Sequence, residues 1–135
     1  MIHKPNELNY ERNWSHYLRS ITHQNLNQSN EAQADLQKAI DLAQAKHARD
    51  SDDWGTIVNL GLYHLVMGNP VESDRFYRSL LNAPKEMIKM GIKDLEDLRE
   101  WRIENGELRI EEAIWVLKRA ISFRESSPTV SLTNP

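Results

Sequence analysis

A Gly-Asn-Pro break at residues 68–70 separates two apolar helical patterns, and it constrains the fold more than any other feature of the sequence. Before the break, large apolar residues and one glycine recur at the three- and four-residue spacing of a buried helix face: Trp54, Ile57, Val58, Gly61 and Leu65. After it, three residues are expected to point inward: Tyr77, Leu80 and Leu81. The sequence therefore predicts a tight antiparallel helical hairpin at its centre.

The break itself carries the signals of one helix ending and another beginning. Gly68 can adopt the left-handed backbone conformation that ends a helix, and Pro70 suits the first position of the next. Asn69 is the expected N-cap, with Glu72 placed to complete a capping box. We predict a similar cap at Asn30 with Gln33, and an Asp or Ser cap within residues 50–53.

The same periodicity extends along the chain and predicts six helices in three antiparallel hairpins. Pro84 is expected to stop the fourth helix and start the fifth, and Asn105-Gly106 to break the fifth from the sixth. The predicted ranges are 8–25, 30–48, 53–67, 70–82, 84–104 and 108–124. Because β-branched residues never alternate over a useful length, the predicted fold class is all-α.

Length and composition limit the organisation and the partners. At 135 residues the chain suits one domain, which we place at 1–124, with a flexible tail at 125–135. A net charge of −3 gives no case for a nucleic-acid surface, and no apolar run reaches the roughly 18–20 residues of a membrane span. Without cysteine, leader or span, the expected location is cytoplasmic.

Small residues recur at a nearly constant interval in the second helix of each predicted hairpin. Ala32, Ser73 and Ala113 lie 41 and 40 residues apart. Each is followed at the same spacing by two further inward positions: Leu36 and Ala39, Tyr77 and Leu80, Leu117 and Ala120. Small side chains at such places let one helix approach its partner closely, so the spacing predicts three repeated hairpins.

The central hairpin resembles the tetratricopeptide repeat family. The residues that match its pattern in kind are Ile57, Leu60, Gly61, Gly68, Ser73, Tyr77 and Pro84. His64 replaces the usual Tyr and Leu80 the usual Ala, and the period is closer to the longer variant of kinesin light chains. The resemblance covers residues 8–124 and implies a short right-handed α-solenoid, with a HEAT-like helical stack as the alternative.

The resemblance implies a protein-interaction module that holds a peptide or helix in a groove lined by the first helix of each hairpin. Its expected groove residues on the third helix are Val58, Asn59, Leu62, Leu65 and Val66, with His64 at the edge. Asn59, Lys85 and Lys89 are the candidates for a clamp on a peptide carboxylate. If this groove is open, Leu62→Glu should weaken binding steeply and leave the fold largely intact.

A second interpretation is a structural role, in which the apolar face mediates homodimerisation or docking onto a larger complex. Three repeats are near the minimum for a stable stack, and no polar capping helix follows the sixth helix. An uncovered end would favour assembly with another chain.

Chemistry-bearing residues are scattered, so we expect no enzyme activity, metal or cofactor. The five histidines lack the three- or four-residue spacing of ligands on one helix face. The acidic run Asp94, Glu96, Asp97 and Glu100 is interpreted as a solvated helix face. Trp101 and Trp115 lie off the main apolar stripes, so they are expected to be partly exposed, either as partner anchors or as packing surfaces for the next repeat or the tail.

Overall fold

The computed structural model describes the backbone at residues 5–101 and 107–132, and side chains at residues 12–101 and 109–125. Within those residues the chain forms six helices, one 3₁₀ turn and no strand, so the all-α prediction is confirmed. The helices are α1 (Pro5–Asn25), α2 (Ser29–Arg49), α3 (Trp54–Met67), α4 (Pro70–Arg78), α5 (Lys85–Trp101) and α6 (Glu107–Leu132), with the 3₁₀ turn at Ser79–Asn82 after α4.

The predicted ends of α3 and the predicted start of α4 are confirmed. Gly68 ends α3 with φ +93°, the left-handed conformation that a side chain would strain. Pro70 occupies the start of α4. Asp53 caps α3, since its carboxylate accepts a hydrogen bond of 3.3 Å from the amide of Thr56.

Two other predicted caps lack the side-chain hydrogen bonds expected of them, although Asn69 does occupy the N-cap position of α4. Asn69 precedes α4, but its side-chain amide lies 3.2 Å from Nδ1 of His64 and does not bond the helix N-terminus. Glu72 therefore completes no capping box; it pairs with Arg75 one turn later. Helix α2 begins at Ser29 after Gln28 and has no side-chain cap, so the predicted role of Asn30 is also wrong.

The 3₁₀ turn changes which side chains point inward after α4. With three residues per turn, Leu80 stays in line with Tyr77 and is fully buried, while Leu81 rotates by about a third of a turn and is 45% exposed. The prediction that Leu81 points inward is therefore wrong.

Helix α6 continues to Leu132, past the end predicted at residue 124. One residue past the predicted end, Glu125 pairs with Nζ of Lys85 on α5 at 2.7 Å. The break predicted at Asn105-Gly106 falls outside the described residues, as do residues 1–4 and 133–135.

Consecutive helices pack in pairs, α1 on α2, α3 on α4, and α5 on α6. On α5, Lys85 pairs with Glu125 and Arg99 pairs with Glu111, so residue numbers rise along α5 as they fall along α6. This order makes the pair antiparallel. Helix α3 also contacts α1, α2 and α5, and the stretch 56–64 is continuously buried, which places α3 at the centre of the core.

The small residues at the recurring positions are packed inside the fold. Each hairpin has three such positions, one small residue and the two inward residues that follow it. All nine side chains are buried except that of Ala113, which is half-buried. In the first hairpin, Oγ of Ser20 donates a 2.8 Å hydrogen bond to the carbonyl oxygen of Ala32. In the second, Oγ of Ser73 donates a 2.7 Å hydrogen bond to the carbonyl oxygen of Gly61. Each bond joins residues twelve apart across the turn.

Gly61 is a site of close packing between α3 and α4. A Cβ atom added there would lie 2.9 Å from Cζ and 3.0 Å from Cε1 of Tyr77. Since the ring of Tyr77 is only 1% exposed, it has little room to move away. Even one methyl group at residue 61 must therefore displace a packed aromatic ring.

We predict that Gly61→Ala destabilises the protein by about 1–3 kcal/mol, because overpacking outweighs the usual gain of Ala over Gly in a helix. At a helix position with free space this change would be mild, and the Tyr77 contact reverses that expectation. Gly55→Ala is the matched control on the same helix, since its Cβ would meet only Asp53 Oδ1 at an ordinary 3.5 Å. Urea unfolding of both variants measures the difference; equal stabilities would contradict the close crossing.

Asp94 departs from the solvated acidic face that the sequence predicted. It is half-buried on α5, whereas Glu100, at the other end of the run, is exposed. Burial raises the pKa of its carboxyl to about 6, and the negative charge of Asp97 adds to the rise, against the opposing charge of Lys93. The folded state therefore holds a proton that the unfolded chain releases at lower pH.

The sign of this linkage follows from the raised pKa. Between the unfolded pKa of 3.8 and about 6, the folded state binds more protons, so stability falls as pH rises through that window. Asp94→Asn should therefore stabilise the protein by about 1–2 kcal/mol at neutral pH, a gain that shrinks toward pH 4. Urea unfolding at several pH values tests this, with Glu100→Gln as the control; a gain that does not change with pH would contradict it.

Candidate functional site

The residues predicted to line an open groove on α3 lie in the core instead. Val58 and Leu62 have no exposed area and Asn59 is 1% exposed. The physical reason is that α3 contacts α1, α2, α4 and α5, which leaves no free face along this stretch. The prediction that these three side chains form an open binding surface is wrong.

The predicted edge residue His64 is also buried, and it packs inside the α3–α4 hairpin. Its ring stacks on that of Phe76 with centroids 5.8 Å apart and an interplanar angle of 7°. Burial lowers the pKa of His64, with Arg75 adding to the fall and Glu72 opposing it. His64 is therefore a neutral packing group in the folded protein.

The remaining predicted residues fall into separate places. Leu65 and Val66 are half-buried, Leu65 beside α4 and α6 and Val66 beside α1 and α2. Lys85 is engaged with Glu125, and Lys89 is exposed on α5. Because Asn59 is buried, it cannot join these lysines in a clamp on a peptide carboxylate, so that prediction is wrong.

A different groove runs between α4, the following 3₁₀ turn and α6, and we call it the α4–α6 groove. Two clefts of about 450 and 560 Å³ lie between these elements, and a third of about 430 Å³ extends the groove over the surface of α6 alone; Trp115 lines all three. Its walls comprise Asp74, Tyr77, Arg78 and Leu81 on one side and Arg109, Glu112, Trp115, Val116, Arg119 and Phe123 on the other.

Large apolar side chains are exposed along this groove. Trp115 is 60% exposed and Phe123 71% exposed on α6, and Leu81 is 45% exposed on the opposite wall. Trp115, Arg119 and Phe123 are spaced four residues apart, so they project from one face of α6. The expectation that Trp115 is partly exposed is confirmed, as it is for Trp101 on α5 at 40%.

Charge is distributed unevenly along the groove. The cleft that includes Leu65 is lined by carboxylates and arginines together: Asp74, Arg78, Arg109, Glu111 and Glu112. In the two clefts toward Phe123, the charged lining residues are all cations: Arg78, Lys118, Arg119 and Arg124. The groove therefore has a mixed end and a basic end, in a chain whose net charge is −3.

The cations of the basic end are held in different ways. Arg78 pairs with Asp74 at 2.7 Å, and Arg124 donates to the carbonyl oxygen of Leu81 at 2.8 Å. The guanidinium carbon of Arg119 lies 4.9 Å from the ring centroid of Trp115, which is a cation–π contact. Within the described residues, no carboxylate pairs with Lys118, Arg119 or Arg124.

A second polar cluster, between α1 and α2, is structural in character. Arg19 donates two hydrogen bonds of 2.9 and 3.0 Å to the carboxylate of Asp35. Ring nitrogens of His16 and His23 lie 3.2 and 3.4 Å from the same carboxylate. The hydrogen bonds from Arg19 are the main cause of a lowered pKa at Asp35. Among the side chains that the structure describes, no group of three or more His, Cys, Asp or Glu residues is arranged to hold a metal ion.

Comparison with known proteins finds no matching family model, no matching curated protein and no matching solved structure. The tetratricopeptide resemblance therefore stays a prediction, and the function has to be inferred from the site. In the described segments, no helix has both the length and the apolar character needed to cross a membrane.

Most of the α4–α6 groove was not predicted from the sequence, although one signal for it was present. The buried stripe of α6 contains Ile110, Ile114 and Leu117. Trp115, Arg119 and Phe123 form a separate stripe with its own four-residue spacing. A second apolar–basic stripe on an amphipathic helix indicates a contact surface, but the opposite wall can be identified only from tertiary structure.

Substitutions at the buried Leu62 and at the exposed Trp115 are expected to have opposite effects on stability. Leu62→Glu places a charge in a fully buried site and should cost about 4–5 kcal/mol or more, enough to unfold the protein. Trp115→Ser removes an exposed ring and its contact with Arg119, and should cost less than about 1 kcal/mol. Thermal unfolding followed by circular dichroism compares the two variants. A folded, stable Leu62→Glu protein would support the prediction of an open groove on α3.

Proposed function

We propose that this chain is a non-enzymatic protein-interaction module that binds a helix or peptide of a partner protein in the α4–α6 groove. The observation that carries the proposal is the exposure of Trp115, Phe123 and Leu81 around one continuous groove. Aromatic and arginine side chains are the groups that most often dominate binding energy at protein interfaces. The proposed binding face thus lies on the second helices of the hairpins, in place of the first helices that the family resemblance implies.

We propose further that the hairpins are stacked as a short tetratricopeptide-like right-handed α-solenoid. Contacts of α3 with α5 and of α4 with α6 support a stack of the second and third hairpins. The hydrogen bonds Ser20–Ala32 and Ser73–Gly61 support equivalence of the first two, because both join small residues at matching positions of the 41-residue interval.

Binding without catalysis suits the chemistry of the groove. Its carboxylates Asp74 and Glu112 pair with Arg78 and Arg109, an arrangement that suits charge recognition at an interface. Asp94, whose pKa of about 6 would suit a general acid or base, lies on α5 and does not line the groove. The proposal therefore involves no cofactor.

The two exposed tryptophans allow a matched test. Wild type, Trp115→Ser and Trp101→Ser are immobilised as full chains and exposed to a lysate of the source organism, and each captured protein is quantified. We expect a partner that wild type and Trp101→Ser retain and that Trp115→Ser loses by about tenfold. The purified partner should show the same order of affinities by calorimetry.

The alternative role in assembly has a distinct outcome. Light scattering on the purified chain gives its mass in solution. A homodimer that Trp115→Ser dissociates and Trp101→Ser preserves would assign the groove to self-assembly and overturn the proposal. Partners retained equally by all three proteins would overturn it as well.

A further inference from the structure

The basic end of the α4–α6 groove combines exposed apolar side chains with cations that lack carboxylate partners among the described residues. Trp115 and Phe123 supply the apolar surface, and Lys118, Arg119 and Arg124 surround it. We propose that the groove binds an acidic amphipathic helix of a partner protein, with apolar side chains on Trp115 and Phe123 and flanking carboxylates on the cations. This inference rests on the proposed function and adds the chemistry of the partner.

The spacing of the two aromatic residues fits a helix. Eight residues separate Trp115 from Phe123, which is about 12 Å along α6. A partner helix lying along α6 repeats its apolar side chains every seven or eight residues at nearly the same distance. Two turns of such a helix therefore contact both rings.

The backbone of the partner gives a second reason for a helix. An extended peptide has unpaired amide and carbonyl groups, which binding proteins usually satisfy with a strand edge or polar side chains. The walls of this groove are helical within the described residues, and two of its polar groups are engaged: Arg78 with Asp74, and Arg124 with the carbonyl of Leu81. A helix satisfies its own backbone and needs only side-chain contacts.

The cations at the basic end of the groove favour a partner that carries carboxylates over other ligands. Arg119 is held against Trp115, so its planar guanidinium is already oriented beside the apolar contact. A carboxylate one turn from an apolar residue on the partner helix would reach Lys118 or Arg119. A nucleic acid suits the groove less, because its phosphates would run from these cations toward Asp74, Glu111 and Glu112 at the mixed end.

The test uses three synthetic peptides of about 16 residues with one helical leucine pattern and either Glu, Gln or Lys at the flanking positions. Each carries a fluorescent label, and binding to the full chain is measured by anisotropy. We expect the Glu peptide to bind about tenfold more tightly than the Gln peptide, and the Lys peptide to bind most weakly. Raising the salt from about 50 to about 300 mM should reduce this preference.

Two exposed lysines provide a matched pair of variants. Lys118→Glu reverses a charge in the groove, whereas Lys38→Glu makes the same change on the exposed face of α2. We expect Lys118→Glu to weaken the Glu peptide by about fivefold or more and Lys38→Glu to change it by less than about twofold. Thermal unfolding of both variants verifies that each is folded.

The outcomes separate this inference from the proposed function. Equal affinity for the Glu and Gln peptides, both lost in Trp115→Ser, would overturn the acidic preference and leave the interaction module standing. The acidic preference is likewise overturned, and the module retained, if no peptide binds while the capture experiment yields a partner that depends on Trp115. Trp115-dependent binding to duplex DNA or to vesicles containing phosphatidylserine would give the groove a different ligand and overturn the inference.

Discussion

The close crossing of α3 and α4 at Gly61 is the contact on which the rest of the fold depends. Because residue 61 has no side chain, the ring of Tyr77 lies against the backbone of α3, and Ser73 donates to the carbonyl of Gly61 at 2.7 Å. Tyr77 also approaches Gly91 on α5, whose added Cβ would lie 3.9 Å from Cε1. One aromatic ring therefore joins three helices, and its volume fixes their separation.

Two polar contacts accompany the burial of α3. Tyr63 donates its hydroxyl hydrogen to Asn13 on α1, which satisfies a buried phenol and ties the first helix to the core. Lys46 and Asp53 form an ion pair of 3.1 Å at the start of α3. Burial opposes ionisation of Asp53, yet the hydrogen bonds from Lys46 and from the Thr56 amide outweigh it and lower the pKa of the carboxyl. The N-terminus of α3 thus combines a cap with a charge pair.

Local chemistry was enough to predict the elements, but not the surfaces that they leave open. Gly68 and Pro70 determine the break between α3 and α4 through backbone conformation alone, so the sequence predicts that break correctly. Leu62 shows the limit: a second apolar face on α3 has the same pattern whether it is an open groove or a core contact. Its burial depends on contacts of α3 with helices distant in the chain, which periodicity does not contain. The prediction for Leu81 is wrong for a different reason, because a 3₁₀ turn changes the helical period within one hairpin.

The groove follows from a mismatch in helix length. Helix α4 has nine residues, about 14 Å, whereas α6 has 26 residues, about 39 Å. A short helix can cover only part of a long neighbour, and the 3₁₀ turn after α4 leads the chain away to α5. Phe123 therefore stays exposed on α6, and Leu81 stays exposed on the turn that lines the same cleft. The 3₁₀ turn that interrupts the α-helical period thus also forms part of one wall of the proposed binding site.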